Sequence, residues 1–189
     1  MAPSRASSGP AKLDSVSEPG QRKGGFHLRV NRERARLPDG REIDLDIVRH
    51  PGAAAVVPFA SPDEVILIRQ YRHATDGTIL EVPAGKLDPG ESPEACAARE
   101  LEEEAGQRAG RLETLGWIWT TPGFTDEKIH LFAAFDLTEV PARPEADEHL
   151  EPLRVPFDEA LDLVWRGELR DAKSSLALLH AARVLGRLG

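Results

Sequence analysis

Residues 85–107 read GKLDPGESPEACAARELEEEAGQ, and positions 100–104 set four glutamates into five consecutive places. Like charges one turn apart on an exposed helix repel by about 0.2–0.5 kcal/mol per pair, so an ordinary surface helix gains nothing from this run. Good helix formers from Glu94 to Ala105, a Pro at 93 and a Gly at 106 predict a helix that starts after the Pro and stops at the Gly. At about 100° per residue, Glu100, Glu103 and Glu104 share one face, while Leu101 and Ala97 or Ala98 turn toward a core. A hard divalent cation reverses the sign of carboxylate repulsion and takes oxygen ligands of this kind.

The residues before the helix belong to the same arrangement. Gly85 has the backbone freedom to let the peptide of Ala84 approach such a cation and offer its carbonyl. Asp88-Pro89-Gly90 turns the chain back and brings Glu91 to the helix start. Arg99, beside the carboxylates, is placed to pair with one of them and hold its rotamer. Cys96, among Ala95, Ala97 and Ala98, reads as a small buried thiol, and as the single cysteine of the chain it excludes an intrachain disulfide framework.

Outward from this stretch, the pattern is that of strands. HLRVNRERARL, Pro38-Asp39-Gly40 and REIDLDIVR, with Ile43, Leu45 and Ile47 alternating against Glu42, Asp44 and Asp46, predict a hairpin over 26–49. Ala53–Ala60, Glu64–Arg72 and Thr78–Val82 read as buried strands, and Arg111–Thr120 and Lys128–Asp136 as two more beyond the helix. Phe157, Ala160, Leu161 and Val164 fall at helical spacing, and a third helix is expected from about Lys173 to Leu188. Strands, helix, strands, helices imply an α+β domain over 50–189, a mixed β-sheet sandwiched between helices, with an N-terminal antiparallel β-hairpin. Residues 1–25, rich in Ser, Pro, Gly and Lys, read as a disordered lead-in.

The 189 residues, 40% of them hydrophobic and 30% charged, suit one domain with an added arm. A net charge of -8 argues against a surface that coats nucleic acid. No apolar run nears the roughly 18 residues a membrane-spanning helix needs, the first 25 residues lack the apolar stretch of a secretion signal, and the lone thiol suits a reducing compartment, so a cytoplasmic protein is expected.

The stretch resembles the Nudix box, G-x5-E-x7-R-E-U-x-E-E-x-G-U with U apolar. Gly85, Glu91, Arg99, Glu100, Leu101, Glu103, Glu104 and Gly106 match in register; the final U is Gln107. The resemblance implies the Nudix fold, Mg²⁺ or Mn²⁺ as cofactor, and hydrolysis of a nucleoside diphosphate linked to another moiety. It makes Glu100 and Glu104 the leading metal ligands, with Glu103 and the Ala84 carbonyl assisting, Glu103 and Glu104 part of the catalytic set, and Glu91 and Arg99 structural supports.

TTPGFTDEKIHLF (120–132), HPGAAAVVPF, IRQYRHA and GELRDAKSSLALL are similar to the ADP-ribose pyrophosphatase branch of that family. By that likeness Arg72, Glu81, Gly85 and the Pro122-Gly123-Phe124 loop meet the substrate, and the base comes from the acidic loop RPEADEHLEPL. Glu145 and Glu148 are its candidates, with Asp147 between them; the following Leu150 favours Glu148, while the place that more often holds the base is Ala146. His130, between Ile129 and Leu131 in a strand, reads as an ordinary structural histidine, and His73 carries no clearer signal. The branch further implies ADP-ribose as substrate, AMP and ribose 5-phosphate as products, and a homodimer in which the hairpin reaches across to the partner. GDP-mannose or another nucleoside diphosphate hexose is the alternative substrate, and a non-catalytic ADP-ribose sensor the reading from another class.

Overall fold

The computed structural model describes residues 29–144 and 149–187. The lead-in expected over 1–25 and the base candidates Glu145, Asp147 and Glu148 lie outside the described residues.

The chain opens with an antiparallel hairpin, β1 (Arg29–Arg36) and β2 (Glu42–Arg49), in register from Arg29↔Arg49 to Arg36↔Glu42. Gly40, at φ 87°, takes the left-handed turn conformation that the Pro38-Asp39-Gly40 signal demands. Ile43, Leu45 and Ile47 are half-buried and their acidic neighbours exposed, as the alternation predicts.

The remaining strands are β3 (Ala53–Ser61), β4 (Glu64–Arg72), β5 (Gly77–Glu81), β6 (Ala84–Lys86), β7 (Gln107–Trp119), β8 (Lys128–Glu139) and β9 (Leu150–Pro156). They form one mixed sheet in the order β5-β4-β3-β8-β7, with β6 added to β3 and β9 to β4; β3 and β8 run parallel, the other pairs antiparallel. Helices α1 (Pro93–Ala105), α2 (Phe157–Trp165) and α3 (Ala172–Val184) cover it.

The continuous apolar run of β3 is explained by burial on both faces. Ala53, Ala55, Val57 and Phe59 enter one core with Leu131 and Ala133 under α2 and α3. Ala54 and Val56 enter a second with Ile66, Ile68 and the Cys96, Ala97 and Leu101 side chains of α1. Leu101, wholly buried, contributes about 1.5–3 kcal/mol to holding α1 on the sheet. Ala97, not Ala98, is the core-facing alanine.

Boundaries differ from the sequence expectation where tertiary pairing decides them. Helix α1 includes Pro93 as its first residue, with the Ser92 hydroxyl accepting from the Ala95 N–H at 3.2 Å, and Gly106 ends it at φ 61°. Strand β7 begins at Gln107 rather than Arg111 because Gln107 pairs directly with Glu139. The buried Gln107 thus opens a strand where the box pattern has an apolar residue. Strands β6 and β9 carry no clear alternation of their own and exist through their pairing with β3 and β4. Among the described residues no helix is long and apolar enough to cross a membrane.

Candidate active site

Helix α1 is fastened beside β6 by its acidic side chains. The Ala84 N–H donates to Glu104 Oε2 at 2.9 Å, so a carboxylate only 3% exposed is anchored on the backbone of β6. Glu100, 8% exposed, lies against Gly85: a Cβ built there would stand 2.7 Å from Oε2 and closer still to Oε1 and Cδ. Gly85 is therefore required for space. It is not among the residues at positive φ, which corrects the expectation that its role is backbone freedom.

Arg99 organises the rest. Its Nε and Nη2 donate to the two Glu91 oxygens at 2.9 and 3.0 Å, and its Nη1 to Glu100 Oε1 at 2.7 Å and Glu103 Oε2 at 3.0 Å. Glu91 also accepts from the Asp88 N–H at 3.0 Å, closing the turn at Gly90. The Arg99 bonds hold the Glu91 carboxyl at about 2, and the same carboxylates raise the guanidinium further above its ordinary range. Arg99 thus ties Glu91 to Glu100 and Glu103. Burial, and then the Glu100 charge, push the Cys96 thiol up to about 12, as suits an inert packed cysteine.

The convergence of three carboxylates is narrower than the helical wheel suggests. Glu100 and Glu103 border a cleft, with Glu104 anchored on the Ala84 N–H, and Arg99 lies between Glu100 and Glu103. Among the described residues no three acidic, His or Cys side chains are gathered as a ready-made cation cage. The donor set nonetheless suits a hard cation: two nearly buried carboxylates, a third beside them, and a glycine whose missing Cβ leaves their approach open.

The cleft measures ≈ 1380 Å³ and runs from α1 across β6 to the end of β4 and the start of α3. Arg72 borders it and makes a two-pronged bond to Glu81, at 2.9 and 2.8 Å. Glu81, 2% exposed, also accepts from Lys173 Nζ at 2.7 Å. Burial would raise the Glu81 carboxyl; the bonds to Arg72 and Lys173 outweigh it and leave the group below its ordinary value. The two residues expected to contact substrate thus contact each other, and Glu81 serves as the counter-charge beneath Arg72.

On the opposite wall, the 120–127 loop is clasped by the end of β2. The Val48 N–H donates to the Phe124 carbonyl at 2.8 Å, Arg49 reaches Asp126 at 2.9 Å, and the His50 N–H donates to Asp126 at 2.8 Å. Thr120 and Glu127 border the cleft, whereas Pro122, Gly123 and the 53%-exposed Phe124 are not part of its lining. His50 also borders it: Nδ1 accepts from the Gly52 N–H at 3.1 Å, which leaves Nε2, 3.4 Å from Glu127, as the protonated nitrogen of the neutral ring. His130 and His73 are not part of the lining.

The segment with the base candidates is flanked by two anchored residues. The Arg143 N–H donates to the Glu103 carbonyl at 3.0 Å, and the Tyr71 N–H to the His149 carbonyl at 3.1 Å. Arg143 and His149 are thereby held beside α1 and beside the end of β4.

Lys173, Asp171, His50 and Glu127 also border the cleft, and sequence reasoning did not single them out. Asp171 alone carried a local signal: it caps α3, its carboxylate accepting from the Ser174 N–H at 2.9 Å.

The α1 carboxylates lie on one side of the cleft and Arg72, at the end of β4, and Lys173, in α3, on the other, and the chain belongs to the NUDIX domain family, whose profile matches residues 48–178. It is 41% identical over 150 residues to the ADP-ribose pyrophosphatase of Bacillus subtilis (strain 168), covering 78% of this chain and 81% of that one. It is 39% identical over 155 residues to the GDP-mannose pyrophosphatase of Cronobacter sakazakii (strain ATCC BAA-894), covering 72% and 80%. A solved structure described as an ADP compounds hydrolase superposes with a TM-score of 0.76 at 27% identity, over 88% of this chain and 92% of that one.

Proposed function

We propose that the protein is a Nudix pyrophosphatase of nucleoside diphosphate sugars, with ADP-ribose as its preferred substrate and AMP and ribose 5-phosphate as products. The observation that carries this reading is one cleft bordered on one side by the box carboxylates Glu100 and Glu103 and on the other by Arg72 and Lys173. The similarity to an ADP-ribose pyrophosphatase at 41% identity supports the choice of substrate. The 39% identity to a GDP-mannose pyrophosphatase supports a nucleoside diphosphate hexose as the alternative.

Hydrolysis breaks one P–O bond of the diphosphate and adds the elements of water, giving two phosphomonoesters. Glu100 and Glu104, with help from Glu103 and the Ala84 carbonyl, would hold Mg²⁺ or Mn²⁺, which when bound would supply charge neutralisation at phosphorus and acidify water. Arg72 binds the diphosphate, with Glu81 behind it to fix its orientation. A carboxylate of the segment between Arg143 and His149, Glu145 or Glu148, takes the proton from the attacking water. The 120–127 loop reaches the cleft through Thr120 and Glu127, on the wall where the sugar and base end would lie.

We further place the enzyme in the cytoplasm as a homodimer. The one-sided apolar pattern of Ile43, Leu45 and Ile47 supports docking of the 26–49 hairpin on a second copy. Gel filtration at micromolar concentration is expected to give twice the chain mass.

The test is hydrolysis of ADP-ribose against GDP-mannose with product identification, in Mg²⁺ and in EDTA, for wild type and Glu104→Gln. A glutamine keeps an oxygen for the Ala84 N–H, so the fold is expected to survive while turnover falls by about 10²–10³-fold, the scale of a lost charge-stabilising group. Full turnover by Glu104→Gln defeats the assignment, and ADP-ribose binding without release of AMP favours a sensor.

A further inference from the structure

The cation pair on the cleft wall is built from parts far apart in sequence. Glu81 ends β5, Arg72 ends β4, and Lys173 stands in the first turn of α3. Glu81 Oε2 is shared: it accepts from Arg72 Nη2 at 2.8 Å and from Lys173 Nζ at 2.7 Å. Lys173 Nζ also donates to Asp171 at 3.0 Å, and Asp171 accepts from both the Ser174 N–H and its hydroxyl. The Ser174 hydroxyl in turn accepts from the Val82 N–H at 2.8 Å, tying the start of α3 to the turn between β5 and β6. Side chains of Glu81 and Lys173 are 3% and 15% exposed, so water contributes little to balancing these charges.

We propose that Lys173 is a positioning residue: by sharing the Glu81 carboxylate it keeps Arg72 available to a diphosphate ligand in the cleft. Arg72 commits Nε and Nη2 to Glu81, and its side chain is 39% exposed at the cleft. With Lys173 gone, the buried Glu81 carboxylate keeps Arg72 as its only bonded cation among the described residues, and Asp171 loses its lysine as well. The guanidinium is then held to Glu81 alone. Anion binding weakens through Arg72, with no contact between Lys173 and the ligand required. The inference rests on the diphosphate-binding part of the proposed function and not on turnover.

A double-mutant cycle tests it, with ADP in Mg²⁺ buffer as the probe and its Kd measured by calorimetry for wild type, Lys173→Met, Lys173→Arg, Glu81→Gln and Lys173→Met/Glu81→Gln. Lys173→Met is expected to weaken ADP roughly tenfold, within the coupling range of one ion-pair network. Lys173→Arg restores it, and in the Glu81→Gln background the same lysine change costs less than twofold. In steady-state hydrolysis the Lys173→Met effect falls on KM, with kcat little changed. An equal loss of ADP affinity in both backgrounds means direct ligand contact and overturns the proposal. A lowered Tm with unchanged Kd and KM overturns it in favour of a structural role, and so does absence of ADP binding by the wild type. ADP binding that follows the cycle in a protein that hydrolyses neither nucleotide sugar sinks the proposed function and leaves this inference standing.

Discussion

Gly85→Ala separates space from chemistry at the site. The added Cβ stands 2.7 Å from Glu100 Oε2, where ordinary contact begins at 3.4 Å, and the other carboxylate oxygen is closer. The carboxylate must therefore withdraw by at least about 0.7 Å, a shift that close packing cannot absorb elsewhere. What moves is the end of a flexible side chain, so the folding cost is that of a changed rotamer, about 0.5–1.5 kcal/mol. The functional cost is larger. Glu100 is bonded to Arg99 at 2.7 Å, and a displacement on the order of 1 Å at a reacting centre costs about 10²-fold in rate, near 2.7 kcal/mol. Thermal unfolding paired with kcat/KM for ADP-ribose in saturating Mg²⁺ measures both costs on one preparation. A drop of a few degrees in Tm with about a hundredfold loss of kcat/KM is expected. Activity within threefold of wild type would refute the claim that this glycine exists to admit Glu100.

Arg99→Met removes the partner of Glu91, Glu100 and Glu103 together; urea denaturation is expected to show a loss of about 3 kcal/mol, the cost of stranding partly buried carboxylates. An unchanged midpoint would mean that those ion pairs contribute nothing net. The Glu91 carboxyl has a folded value of about 2 against 4.5 when unpaired, so its stabilisation is complete above about pH 4.5 and is lost as the pH falls toward 2. Glu91→Gln should accordingly flatten the acid limb of the stability curve over that window, and an identical limb in wild type and variant would count against the Arg99 bond. Cys96, buried and pushed up to about 12, should resist alkylation by iodoacetamide at pH 8 until the protein is unfolded in urea; rapid labelling of the native protein would contradict its packing under α1.

Local interactions wrote much of this protein legibly. Helix α1 could be read because its start, stop and buried stripe all lie within the residues that form it, as Ser92, Pro93, Leu101 and Gly106 show. The β1–β2 hairpin was equally legible, since a turn glycine and a two-residue alternation are short-range signals. The spacing of Glu91, Arg99, Glu100, Glu103 and Glu104 was enough to expose the acidic half of the site, because one helix and one turn carry it.

The cationic half was decided elsewhere. Lys173 meets Glu81 across 92 residues, and no periodicity within α3 announces which buried carboxylate its first turn will face. Asp126 is joined to Arg49 across 77 residues in the same way. Strands β6 and β9 owe their existence to the open edges of β3 and β4, a property of the assembled sheet rather than of their own residues. Even Gly85, visible in the sequence from the outset, disclosed its reason only when Glu100 was seen to occupy the space of its missing side chain. Sequence alone thus determined the elements whose hydrogen bonds close within a few residues, and with them the placement of the α1 carboxylates. Which charges meet across the cleft followed from packing distant elements into one core, where burial forces every ionised group to find a partner.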